Sequence, residues 1–537
     1  MIKDDLKKRF NYLIIDDFEQ MRASFKGMLE SFGAEQITVC AAGETALKAL
    51  ASENFDVVIC DYNLGEGKDG QQVLEEARYL GYLRHASIFF MVTAESSMSM
   101  VLSALEHQPD EYMVKPINRE VLYHRLNSAI KRKHQLKVID DALSRGDLTG
   151  AIDLCDRHRG KDLKQSLYLA KLQAELQLSL HQYGEAERIY RSLLSIRDFH
   201  WARFGLGKIA FYLQDFKHAE IIFRELIEEN DHYVVVYDWL ASVLESTQSP
   251  EDAQQLLQQA VQISPKSVSR QRRLGTLALR NGQHEVAKKA LVSAVYWGKN
   301  SCFASAEEFR LLGRIYQESG EPAKTIKLLE KGRKRFSHQP TDRIQMLCGE
   351  VLVKQAKSLP IDNDNQLIEL KRLLDEHRHT MTSEALLAVA MDCFHLSQVG
   401  LSLDLFGLVV SNNHDNRQWI ERVRAAMHEL GQQEQADELI CGLKHELDEI
   451  QARCVGWVRQ GSLQEAIDLL NDTVDRFPRN RTLVLMAVQV MIEFMRKRGA
   501  DSRYHFRCRH ALGVLGCGDR QDPETVKYLY ALKELMP

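Results

Sequence analysis

The chain has 537 residues, 45 % hydrophobic and 27 % charged, with a formal net charge of −5. That length calls for two or more domains, the composition is that of a soluble globular protein, and no apolar run approaches the roughly eighteen residues of a membrane-spanning helix. The opening MIKDDLKKRF lacks the apolar segment of a secretory signal, and ten cysteines without a CxxC pair read as reduced core residues of a cytoplasmic protein. Cys508 and His510 in RCRH come nearest to a metal spacing, but two ligands without partners do not make a site.

The charge is uneven. Residues 1–130 carry 13 basic and 20 acidic residues, net −7, and the remainder 57 against 55, net +2. An acidic first domain argues against a general nucleic-acid binder and suits a pocket for a hard cation. Within it, short apolar runs recur: YLIID (12–16), ITVC (37–40), FDVVIC (55–60), IFFMV (88–92) and EYMV (111–114). Helical periodicity fills the intervals, as in FKGMLESFG and GQQVLEEARYL. Five such units predict an α/β, doubly wound, five-stranded parallel sheet with helices on both faces. Ligands of such sheets bind outside the carboxyl ends of the strands. Asp16 and Asp17 stand at the first such end, Asp61 at the third, Thr93 at the fourth and Lys115–Pro116 at the fifth. Three carboxylates brought together need a cation, and oxygen ligands favour Mg²⁺ or Mn²⁺. A carboxylate in that setting can attack a phosphoryl group whose charge the metal, lysine and hydroxyl hold.

This constellation, over about residues 8–132, resembles the receiver domain of bacterial two-component response regulators, a flavodoxin-like fold. The resemblance implies that Asp16 and Asp17 hold Mg²⁺ with Asp61 and the backbone carbonyl of Asn63. It implies that Asp61 becomes the aspartyl phosphate and that Thr93 and Lys115 contact the phosphoryl oxygens. Tyr112 falls on the family's switch-aromatic position, and Lys115–Pro116 on a bond that is usually cis. Gly65 departs from the pattern, since many receivers have proline there, and implies a looser loop. Asn63 and Glu95 fall where receivers flank the path of the hydrolytic water. This pair is similar to that of single-domain chemotaxis receivers, which implies a short-lived phosphate. A dehalogenase-like phosphatase would want an acid two residues after Asp61, where Asn63 stands.

IKRKHQLK (130–137) is basic and helix-compatible, so residues 131–140 are expected to continue the last receiver helix as a stiff linker. Beyond it the sequence repeats. Gly207, Ala241 and Gly275 are 34 residues apart; Ala219, Ala253 and Ala287 follow them, then Phe223, Leu257 and Leu291. A 34-residue period with small residues where helices cross resembles the tetratricopeptide repeat (TPR), an all-α superhelical solenoid. The period is clear over 141–340 and degenerate over 341–537, where Gly461, Ala466, Leu470 and Pro478 match again, for roughly eight to ten helix pairs. Pro250 and Pro322 read as first residues of helices, with Ser249 as a cap.

After residue 130 no cyclase, phosphodiesterase or phosphatase signature appears, so the expected output is binding rather than enzymatic chemistry. TPR arrays hold protein or peptide partners in a groove lined by first helices. One unit places Trp201, Phe204, Lys208, Phe211 and Tyr212 on a single helical stripe there. These aromatics read either as packing between repeats or as a pocket for an apolar partner segment. MRKRGADSRYHFRCRH (495–510) interleaves basic and aromatic residues, which can bind nucleic acid, or form a solvated or acid-paired face.

The resemblance thus implies a cytoplasmic response regulator phosphorylated by a sensor histidine kinase or phosphotransfer protein. The phosphate would reshape the face spanning about 96–130 and so alter partner binding by the repeats, which could also pair two copies through an end or edge. A phosphate sink or direct kinase inhibitor, and a nucleic-acid-binding regulator, are the alternatives.

Overall fold

A computed structural model describes residues 10–84, 87–94, 109–160, 163–247, 249–356, 363–516, 528 and 531–532. Contacts group the chain into two compact units, Met1–Ala304 and Ser305–Pro537.

The first unit opens with β1 (Asn11–Ile15), α1 (Glu19–Ser31), β2 (Gln36–Cys40), α2 (Gly43–Ser52), β3 (Val57–Asp61), α3 (Gly70–Tyr79), β4 (Ile88–Thr93) and β5 (Glu111–Val114). The strands form one parallel sheet in the order β2-β1-β3-β4-β5. The five-stranded parallel sheet read from the apolar runs is the sheet observed. Strands alternate their side chains between faces, and two cores result. Tyr12, Ile14, Val57, Ile59, Phe90 and Val92 fill one face; Leu13, Ile15, Val58, Cys60, Phe89 and Met91 fill the other. The order reverses between β1 and β3, and the carboxyl ends of those strands carry Asp16, Asp17 and Asp61. α3 starts with a capping box: the Gln72 N–H donates to Asp69 Oδ1 at 2.9 Å, and the Asp69 N–H to Gln72 Oε1 at 3.1 Å.

Helix α4 (Arg119–Ser144) is capped by Asn118 and runs unbroken through the basic stretch. Helices alone follow it among the described residues: α5 (Leu148–Arg157), α6 (Leu163–Ser179), α7 (Tyr183–Leu194), α8 (His200–Tyr212), α9 (Phe216–Glu229), α10 (Val234–Ser246), α11 (Pro250–Ile263), α12 (Val268–Arg280) and α13 (His284–Trp297). The second unit continues with α14 (Ala306–Glu318), α15 (Pro322–Arg335), α16 (Pro340–Ala356), α17 (Asn363–His377), α18 (Ser383–His395), α19 (Val399–Asn412), α20 (Arg417–Glu429), α21 (Gln433–Gln460), α22 (Leu463–Arg476), α23 (Arg481–Arg498) and α24 (Ser502–Gly516). The all-α solenoid class read from the repeats holds for this part of the chain.

The periodic small residues have a direct steric reason. A methyl group on Gly207 would stand 2.4 Å from the Phe223 ring, and one on Gly275 2.6 Å from Leu291. Each glycine faces the large residue sixteen positions later, across the crossing of its pair. A second device was not read from the sequence. A residue with left-handed backbone recurs at helix ends along the array: Gly146, His181, Gln214, Gly282, Gly320, Ser397, Gly431 and Gly461. At each, the following N–H donates to the carbonyl five residues back, as Gln283 does to Ala278 and Gln398 to Cys393. This is the Schellman turn. Ser397, Gly431 and Gly461 carry it through the region where the sequence signature fades. Pro250 and Pro322 do open helices, but the Ser249 side chain makes no capping bond.

Candidate functional site

β1 hands over to two acids: Asp16 N–H still donates to the Cys40 carbonyl at 3.2 Å just past the strand, and the chain then turns through Asp17. Asp16 Oδ1 accepts from Phe18 N–H at 2.9 Å. Arg22 Nη1 clamps the turn by donating to the carbonyls of Asp16 and Asp17, at 2.7 and 2.9 Å. Asp61 closes the central strand β3, in register with Val92. Thr93 ends β4 and is buried; its carbonyl accepts from Lys115 N–H at 2.7 Å. The Lys115–Pro116 bond is cis.

The chain ends converge as side chains do. Lys115 Nζ lies 2.9 Å from Asp16 Oδ2 and 3.0 Å from Asp61 Oδ2. One oxygen from each of Asp16, Asp17 and Asp61 falls within 4.8 Å of the others, the one such group among the described residues. Asp16 is 1 % exposed and Asp61 6 %. Burial pushes the Asp61 carboxyl above its ordinary value, with the Asp16 charge adding to the rise, while the hydrogen bond and charge of Lys115 pull against it. For Lys115 burial acts downward, but its bonds to both acids and their charges outweigh it, and its pKa rises. Three carboxylates thus face one ammonium, with negative charge in surplus. Asp17 Oδ1 is buried without a hydrogen-bond partner. An orphaned anionic oxygen beside two more carboxylates is a donor set that fits a hard divalent cation such as Mg²⁺ or Mn²⁺.

Around this centre, Asn63 is exposed, and its Oδ1 accepts from Gly65 N–H at 3.3 Å. Gly65 has φ +71°, which proline cannot adopt, so the departure at this position follows from the loop's backbone. Tyr112 is half-buried and packs against the core on the α2–α3 face. Glu95 lies outside the described residues, as do 96–108 of the face expected to change shape.

In the helical part of this unit the stripe residues of α8 gather around Trp239 of α10. Trp239 lies 6.3 Å from Phe204, 5.5 Å from Phe211 and 5.7 Å from Tyr212 by ring centroids. Lys208 Nζ sits over Phe204 and Trp239 at 5.2 and 6.0 Å, and burial lowers its pKa. Trp201 packs instead on Phe199 and Tyr190, with Lys171 over its ring. Tyr212 stacks on Tyr183 at 5.7 Å and remains 44 % exposed. Trp239 went unnoticed in the sequence, although it follows Tyr237 in the fullest copy of the repeat. In the second unit, three cations of the 495–510 segment pair with acids: Lys497 with Glu493, Arg503 with Asp501 and Arg507 with Asp475.

Residues 12–127 match the response regulator receiver domain. Chemotaxis protein CheY of Pseudomonas aeruginosa is 33 % identical over 120 residues, 22 % of this chain and 95 % of that protein. CheY-3 of Vibrio cholerae serotype O1 is 32 % identical over 127 residues, 24 % of this chain and 96 % of that one. A CheY-like receiver domain of Methanospirillum hungatei JF-1 aligns with 24 % of this chain and 97 % of its own at 25 % identity and a TM-score of 0.22. No described helix is long and apolar enough to cross a membrane. Through residues 12–127 the chain belongs to the response regulator receiver family.

Proposed function

We propose that Asp61 is the phosphoryl acceptor of a two-component phosphorelay, and that its modification regulates protein binding by the helical region, which acts as a TPR-type effector. The observation that carries this reading is the cluster of Asp16, Asp17 and Asp61 with Lys115 between two of them and one Asp17 oxygen unsatisfied. Asp16, Asp17, Asp61 and the Asn63 carbonyl would hold Mg²⁺ or Mn²⁺, which supplies charge neutralisation at the phosphoryl oxygens when bound. Asp61 contributes an oxygen nucleophile in line with a phosphohistidine donor on a sensor kinase or phosphotransfer protein. The new O–P bond forms as the donor's N–P bond breaks, and the imidazole leaves with its electron pair. Lys115 moves its ammonium from bridging the acids to the phosphoryl oxygens, and the Thr93 hydroxyl binds another. Tyr112 follows Thr93 inward. Asn63 and Glu95 set how readily water reaches the acyl phosphate. The chain performs no other chemistry: it takes up a phosphoryl group and loses it.

The 34-residue period supports the effector reading, as do the glycine-against-ring crossings and the recurring Schellman turn. The aromatic stripe around Trp239, with Tyr212 at its edge, is its candidate partner surface. A cytoplasmic location belongs to this reading and is supported by ten cysteines without a CxxC pair. Divalent-cation titration tests the site: one Mg²⁺ or Mn²⁺ should bind per chain and be lost in Asp17→Asn. Retained binding in that variant overturns the ligand set. The switch is tested by partner affinity with and without BeF₃⁻, in the parent and in Asp61→Asn. Equal affinity in all four cases overturns it.

A further inference from the structure

The segment directly after Asp61 does not end at the receiver. Within the first unit it meets the turn between α11 and α12 and the short 3₁₀ turn Gly298–Asn300 after α13. Lys266 Nζ donates to the Tyr62 hydroxyl at 3.0 Å, lies 3.7 Å from Asp69 Oδ2, and stands over the rings of Tyr62 and Trp297 at 4.9 and 5.3 Å. Asn300 grips the loop twice: its Nδ2 donates to the Gly67 carbonyl, and its own carbonyl accepts from Lys68 Nζ at 2.5 Å. Lys68 is also held by Glu76 at 2.6 Å. Farther along α3, Tyr79 meets Phe303 edge-on at 5.6 Å. The seam thus combines complementary charge, backbone hydrogen bonds and ring contacts, and it starts one residue beyond Asp61. Tyr62 is almost fully buried, and its hydroxyl also donates to Gln71 Oε1 at 3.3 Å.

The loop is bracketed on its receiver side. Lys68 N–H donates to Glu44 Oε1 at 3.1 Å, and that same oxygen would stand 2.8 Å from a methyl group on Gly67. At the start of α3, Gly70 lies so close to the Asp61 carbonyl that no side chain fits between them. Gly70 thus packs directly on the Asp61 backbone, and Lys68 N–H is tied to the exposed Glu44, so a movement of Asp61 meets the start of α3, which carries the seam. The seam is closed while Lys115 bridges Asp16 and Asp61, that is, with Asp61 unmodified.

We propose that Tyr62–Tyr79, the segment following the acceptor, is an intramolecular lock that holds the unmodified receiver on the helix pairs through Lys266 and Asn300, and that modification of Asp61 loosens it. This rests on Asp61 being the acceptor, and it places the regulatory contact on the loop after β3 and on α3, away from the 96–130 face. Any ligand favouring the rearranged loop must break or remake these bonds, and by linkage breaking them must favour that ligand.

Amide hydrogen exchange on the full-length protein, with and without Mg²⁺ and BeF₃⁻, tests the lock. Exchange over 297–303 should quicken about tenfold on adding BeF₃⁻, the loss of one or two charge-assisted hydrogen bonds, while 61–70 slows as the site fills. Lys266→Met and Asn300→Ala should each quicken 297–303 without BeF₃⁻ and remove most of the response. Asp61→Asn should keep the seam slow in all conditions. If 61–70 slows while 297–303 is unchanged or slower, the lock is overturned and the acceptor reading stands. If neither segment responds, both fall.

Discussion

Gly70 opens α3 where that helix meets the end of β3, and it offers a quantitative handle on the acceptor's position. A methyl group placed there would stand 2.1 Å from the Asp61 carbonyl oxygen and 3.0 Å from the Cys60 sulfur. Ordinary carbon–oxygen contact begins at about 3.3 Å, so alanine must open the approach by about 1 Å. Neither side can yield alone. Gly70 N–H is bonded to the Tyr62 carbonyl at 2.8 Å, and Asp61 is fixed in the sheet beside Val92. Overpacking of this kind costs about 1–3 kcal/mol, and a 1 Å displacement of a reacting group can slow transfer by about 100-fold. Gly70→Ala should therefore lower the unfolding midpoint of the receiver and reduce phosphoryl uptake from acetyl phosphate in Mg²⁺ by one to two orders of magnitude. Gly27→Ala is the matched control. Gly27 lies exposed in the middle of α1 with nothing within 4 Å, so alanine there should stabilise by about 1 kcal/mol and leave uptake unchanged. A Gly70→Ala protein with parental stability and parental uptake, beside a stabilised Gly27→Ala, refutes the reasoning.

Equivalent glycines of the helix pairs should respond with opposite signs. Gly207→Ala, driven into the buried Phe223 ring, should destabilise by about 1–2 kcal/mol. Gly313→Ala, whose methyl would sit 3.4 Å from Leu329, should stabilise by about 1 kcal/mol, both read by chemical denaturation. Gln214 has φ +62° in the Schellman turn after α8, so Gln214→Gly should stabilise by about 1 kcal/mol, and a destabilised variant would refute the turn assignment. Asp342 in α16 has its carboxyl raised from 3.8 to about 6 by burial, with Glu308 adding to the rise. The folded state holds that proton to higher pH than the unfolded state, so this group makes stability fall as pH rises from about 4 to about 6. Asp342→Asn should accordingly gain on the parent by about 1–2 kcal/mol between pH 4 and pH 7 in paired denaturation curves.

How much was legible follows from what each feature depends on. Asp16, Asp17, Asp61, Thr93 and Lys115 could be placed together because each directly follows or closes an apolar run, and parallel strands bring all such ends to one edge. Gly207 and Gly275 could be read because the 34-residue period repeats them in register with the large residue they face. Beyond residue 340 the turn recurs as a backbone conformation alone, filled by serine at 397 and glycine at 431 and 461, as histidine and glutamine fill it at 181 and 214. Nothing in composition marks φ. Trp239 was missed because the stripe was traced along one helix, whereas the cluster joins α8 to the next pair. The seam was out of reach for a related reason: Tyr62 and Lys266 lie 204 residues apart, and neither breaks a local pattern.

The account stands most directly on phosphoryl transfer to Asp61. Full-length protein should be incubated with acetyl phosphate and Mg²⁺, the acyl phosphate trapped by borohydride reduction, and the modified residue identified by peptide mass spectrometry, in parent and Asp61→Asn. The account predicts one modification per chain, at Asp61, abolished by chelation and by the substitution. Modification at another residue, or uptake that persists in Asp61→Asn, would contradict it.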